Sequence, residues 1–130
     1  MRRKVACAYN QLLENSDVIT PKEASYARHV YHLYVIRSKK REELKHFLSK
    51  RGIQTLIHYL IPLHLQEAFR DLGLKDGSYP QAEKCAEEIL SLPIYPELKS
   101  EQIAYIGEVI NKFNKQVDKM EFNTSIAEPN

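Results

Sequence analysis

The chain has no tryptophan, and only two cysteines, two methionines and four glycines in 130 residues. So few glycines leave no phosphate-cradling Gly-rich loop, and no Gly-x-Ser-x-Gly elbow occurs, which argues against a nucleotide-loop enzyme and a serine hydrolase. Cys7 and Cys85 stand at no metal-ligand spacing and beside no plausible base, so they read as free thiols on helix faces. No apolar run approaches the ~18 residues that a bilayer span requires. An excess of charge is lacking too. The net charge of +2 gives no argument for nucleic acid or for an anionic membrane surface. The basic start, Met1-Arg2-Arg3-Lys4, has no apolar stretch behind it, so no secretory signal is expected. Free thiols without such a signal point to the cytoplasm.

What is present is an ordinary globular mixture, 43% hydrophobic and 28% charged. A chain of this length fits one domain. That domain is expected over residues 1–117, followed by a polar C-terminal tail at 118–130. Val5, Tyr9, Leu12 and Leu13 predict a helix over residues 2–14. The β-branched and aromatic run 30–36, VYHLYVI, predicts a strand with Tyr31, Leu33 and Val35 toward the core. Leu44, Phe47 and Leu48 mark a helix over about 40–50, closed by Gly52. A second strand is expected at 53–58, then a short helix from Pro62 to Phe69, stopped at Gly73. Ser78 and Gln81 have capping-box spacing, and Pro80 suits a first helical turn. The piece 91–96, SLPIYP, is expected to be extended. Ile103, Ile106, Ile110 and Phe113 mark a last helix that Ser100 opens. The sum is an α+β domain: a small open α/β sandwich. Its short, mainly antiparallel sheet of about three strands is packed by about five helices.

The stretch that resists a purely structural reading is HYLIPLH, residues 58–64. An apolar strand there ends in His58 and Tyr59, breaks at Pro62 and adds His64. Imidazole and phenol are costly to bury without partners. The cluster is either a set of solvated tips at a strand end or a place where a ligand binds. Arg37, at the end of the other strand, suits a phosphate or carboxylate, or simply faces water. A zinc site is not expected. His29 and His32 fall on opposite faces of an extended segment, and nothing completes a set with His58 and His64.

Five stretches together resemble one family. They are YHLYVIR (31–37), RGIQTLIHY (51–59), PLHLQ (62–66), YPQAEKCAEEILSLPIYPEL (79–98) and SEQIAYIGEVINKF (100–113). In order and spacing they resemble the C-terminal small domain of the DegT/StrS-type sugar aminotransferases. The opening RRKVACAYNQLL looks like the helix that precedes that domain. The resemblance implies the small domain of a fold-type I pyridoxal-phosphate (PLP) enzyme. Such enzymes aminate a nucleotide-linked keto sugar on the way to cell-surface or secreted saccharides. It also implies that His58, Tyr59 and His64 face the active site of the complete enzyme and help hold the substrate. Leu60 stands where the family has proline, which removes one constraint on the turn.

The same resemblance implies what this chain does without. The Schiff-base lysine, the acid that pairs with the pyridinium nitrogen and the donors for the cofactor phosphate belong to the family's large domain. Lys45, Lys50 and Lys84 match no Schiff-base motif. The chain alone is therefore expected to bind no PLP and to have no catalytic residue of its own. It reads as a fragment, a separately encoded half or a truncated product. Its expected partners are a large PLP-binding domain, in the same or a separate chain, and a second copy through an exposed apolar face. The alternative is a non-catalytic binding module that keeps the fold and docks on a separate large domain.

Overall fold

The computed structural model describes residues 1–126, with side chains described to Met120. Its elements run α1 (Arg2–Leu12), β1 (Tyr34–Arg37), α2 (Arg41–Ser49), two 3-10 turns (Leu63–Leu65 and Glu67–Leu72), α3 (Pro80–Glu88), β2 (Ile89–Leu92) and α4 (Ser100–Ile126). The class is α+β, as expected, but the sheet has two strands rather than three. β1 and β2 are antiparallel, with Tyr34 opposite Leu92 and Val35 opposite Ser91.

The helices follow their apolar periodicity. Val5, Ala6 and Tyr9 of α1, Leu44 and Leu48 of α2, and Ile103, Ile106, Val109, Ile110 and Phe113 of α4 form one core. The sheet adds Tyr34 and Ile36 from β1 and Leu90 and Leu92 from β2. α1 meets α4 closely at Gly107, where a Cβ would stand 3.0 Å from the Cβ of Leu12. Asn111 of α4 donates to the Leu12 carbonyl at 2.9 Å, satisfying an end of α1 that has no intrahelical donor. After α2, Gly52 takes φ +75°, and the Ile53 amide turns back to Leu48 O at 3.0 Å. That left-handed turn is the stop signal a glycine supplies at low cost.

The strands depart from expectation in three ways. First, β1 is shorter than the 30–36 run and exposes the other face. Tyr34 and Ile36 are fully buried, whereas Leu33 and Val35 are half-buried. Tyr31 has φ +50° and lies outside β1; its amide donates to His29 Nδ1 at 2.8 Å. This left-handed residue breaks the alternation, so Tyr31 and Tyr34 are both buried although three apart. Tyr34 tolerates the core because its hydroxyl donates to Asn10 Oδ1 at 2.6 Å. Second, 53–58 forms no strand. Leu56 alone makes a two-way bridge to Ser91, at 3.2 and 2.7 Å, on one edge of the sheet, while Ile19 bridges Arg37 on the other. Third, the extended segment is Ile89–Leu92 rather than 91–96. Pro93 has no amide hydrogen for the ladder and ends it.

Past Val117, where the apolar pattern fades, α4 continues to Ile126, so the expected tail begins as helix. Positions 127–130 of that tail lie outside the described residues. No helix of the described residues is long and apolar enough to cross a membrane.

Candidate functional site

The core side of the sheet carries Tyr34, Ile36, Leu90 and Leu92, so the opposite face carries Val35, Arg37, Ile89 and Ser91. This second face is where the 58–64 turn and α3 come together. The Leu56–Ser91 bridge fixes the approach of the chain. Two residues later His58 lays Nδ1 2.9 Å from the Ser91 hydroxyl. The His58–Tyr59 peptide bond is cis, and the two rings meet edge to face at 5.7 Å. Tyr59 is 71% exposed. Among the described residues, His58 Nε2 and the Tyr59 hydroxyl have no hydrogen-bond partner, so both polar tips are available to a ligand.

His64 is placed differently. It is buried, with Nε2 2.8 Å from Glu83 Oε1, and Tyr79 closes over it edge to face at 4.9 Å. Glu83 also accepts the Tyr79 amide at 3.1 Å and the Gly77 amide at 2.8 Å. Its surroundings disfavour the charge, but the two amides and His64 outweigh that and hold the carboxyl below its ordinary value. One carboxylate thus caps α3 and ties the turn to it. The Ser78–Gln81 capping box does not form. Ser78 Oγ instead accepts the Lys75 amide at 2.9 Å, and Glu83, further along the helix, reaches back in its place. Pro80 does open the helix.

Between the turn and α3 runs an apolar groove of about 760 Å³, lined by Tyr59, Ile61, Leu63, Ala82, Cys85 and Ile89. Arg37 lies outside it. Its Nε and Nη2 both donate to Glu88 Oε2, at 2.9 and 2.7 Å. That pairing raises the guanidinium further above its ordinary value. The carboxylate it meets belongs to its own chain. Arg41 strengthens the same junction by donating to the Ala86 carbonyl at 2.8 Å. Among the described residues no three histidine, cysteine or acidic side chains stand together as metal ligands.

Sequence reasoning therefore located His58, Tyr59 and His64 on one turn, and the structure separates them. His58 and Tyr59 present free tips, and His64 is bound internally. Ser91, Glu83 and Tyr79 were missed as members of the cluster. The spacing of Tyr79 and Glu83 across a helix start was the one available signal for the pair.

Comparison with known proteins decides the lineage of this fold. The model of the DegT/DnrJ/EryC1/StrS aminotransferase family matches residues 1–111. The chain belongs to that family. The family's enzymes depend on PLP. A pleiotropic regulatory protein of Geobacillus stearothermophilus is 51% identical over 115 residues, 86% of this chain and 31% of that protein. A dTDP-3-amino-3,6-dideoxy-alpha-D-galactopyranose transaminase of Aneurinibacillus thermoaerophilus is 36% identical over 86% of this chain and 30% of its own length. Among solved structures, S. venezuelae DesV in complex with a ketimine intermediate superposes with a TM-score of 0.84 at 34% identity. That match covers 88% of this chain and 31% of DesV. The chain thus spans less than a third of the relatives it matches.

The family's cofactor makes a specific demand on its site. PLP needs a lysine, a carboxylate for the ring nitrogen and phosphate donors around one cleft. A cavity of about 330 Å³ lined by Asp17, Ser38, Lys39, Lys40, Lys84 and Asp118 includes neither His58 nor Tyr59. Its Arg37 and Glu88 are spent on each other. Lys39, Lys50 and Lys84 are exposed and Lys45 is half-buried.

Proposed function

We propose that this chain is the small-domain part of a PLP-dependent aminotransferase that aminates a nucleotide-linked keto sugar. Its domain covers about residues 1–117, and its place is the cytoplasm. The observation that carries the reading is the pair of tips unpartnered among the described residues, His58 Nε2 and the hydroxyl of Tyr59, the latter a residue that lines an apolar groove. Such a combination suits a sugar or phosphate oxygen held beside a protein–protein contact. The transaminase name of the Aneurinibacillus relative supports the substrate class. His64 serves the site by holding the turn against Glu83. The lysine-bearing large domain comes from the same or a separate chain, and without it this chain does not transaminate.

A PLP titration followed by borohydride reduction tests the central claim. The expected result is no single, specifically reduced lysine. One lysine trapped stoichiometrically, with amino transfer to a nucleotide sugar, would overturn it. A second reading has one observation in its favour, the regulatory name of the relative that is 51% identical. In that reading the chain is a non-catalytic module that docks on a separate large domain. Restoration of transaminase activity on mixing with a large domain decides for the first reading. Binding without activity decides for the second.

A further inference from the structure

Ser91 is buried in β2. Its amide donates to Leu56 O at 2.7 Å, and its carbonyl accepts the Leu56 amide at 3.2 Å. Among the described residues its hydroxyl has one partner, His58 Nδ1, at 2.9 Å. Two proton arrangements satisfy that distance. With the proton on Nδ1, the ring donates to Oγ and the hydroxyl hydrogen is left buried with no acceptor. With Nδ1 bare, the hydroxyl donates to it and no donor is left over. An unmet buried donor is the more expensive defect, because a hydroxyl oxygen can leave a lone pair unused at smaller cost. We infer that Ser91 holds His58 in the Nε2–H tautomer, so that the site offers its ligand a hydrogen-bond donor rather than a base.

The consequence is chemical. The one ring nitrogen without a partner carries a proton, and the one with a lone pair faces Ser91. His58 therefore suits an oxygen that only accepts, such as a phosphate, carboxylate or carbonyl oxygen. It does not suit removal of a proton from that same ligand. Ser91 acts through His58 and is a positioning residue. The Leu56 bridge is what makes the positioning firm, since the backbone of Ser91 and the segment leading to His58 are tied at one point. The use of the donor rests on the functional reading above; the tautomer does not.

Long-range proton–nitrogen correlation spectra of the chain labelled with ¹⁵N-histidine distinguish the two neutral tautomers. The His58 signal is identified by its loss in His58→Gln. At a pH where the ring is neutral, the expected pattern is Nε2–H. Ser91→Ala should convert it to a mixture of tautomers while the backbone amide spectrum stays native. If Ser91→Ala does not fold, the nearly isosteric Ser91→Cys, a much weaker donor, carries the same expectation. An Nδ1–H pattern in the unaltered chain overturns the inference. So does an unchanged pattern in the folded Ser91 variant. Because no ligand is needed, failure to bind a nucleotide sugar would remove the functional reading and leave this one in place.

Discussion

Tyr9 and Tyr34 show how single polar atoms are reconciled with the core. Both are fully buried, with rings 4.9 Å apart. Burial pushes both phenols up from their ordinary value, so each remains a neutral donor throughout the useful pH range. Tyr9 spends its hydrogen on the Pro93 carbonyl at 2.9 Å, and Tyr34 spends its own on Asn10. The Tyr9 bond matters for position as well as energy. It ties α1 to the residue that ends β2, two residues beyond Ser91. Tyr9→Phe keeps the ring and removes the donor, leaving the Pro93 carbonyl unpaired. We expect a loss of about 1 kcal/mol in unfolding free energy, read from urea denaturation midpoints at unchanged slope. A midpoint equal to that of the unaltered chain would mean that the carbonyl has found another donor.

At the scale of elements, α3 and the 58–66 turn are joined through one carboxylate. Glu83 has its folded value held below the ordinary 4.5. A depressed folded value means the unfolded chain binds the proton more readily. The contribution of Glu83 is therefore complete above about pH 4.5 and is lost as pH falls through the folded value. Glu83→Gln should lower stability at neutral pH and flatten its decline below that point. Denaturation midpoints measured from pH 7 down to pH 3 check this, and parallel curves for the two proteins would refute it. The same junction shows what a sequence can display. Helices such as Leu44–Leu48 and Ile103–Phe113 were legible because their contacts repeat within a few residues. The strand face was misjudged because Tyr31 adopts φ +50°, which no pattern of residue types announces. His58 and Tyr59 stand out in the sequence by chemical type and by resemblance. Their partners were not, since Ser91 lies 33 positions from His58 and Glu83 lies 19 from His64. Such pairings exist only once the chain has folded.

For the whole molecule the uneven distribution of apolar surface is the telling feature. One side is a closed core of α1, α2, α4 and the inner face of the sheet. Away from it, Leu56, Tyr59, Leu60, Ile61 and Leu63 are all exposed within residues 56–63. A monomer rarely carries so concentrated an apolar stretch without a partner for it. The relatives, of which this chain spans 30–31%, supply the obvious candidate in the remainder of their length. Without that remainder, the stretch should cover itself by pairing with a second copy. Sedimentation velocity over a range of concentrations should show reversible self-association. Leu60→Glu combined with Leu63→Glu should abolish it without unfolding the chain, because both side chains lie outside the core. A large domain taken from a relative should compete with self-association if it docks on the same surface. A monodisperse monomer at high concentration would show that the exposed stretch is tolerated in water, and docking would then have to be driven by polar contacts elsewhere.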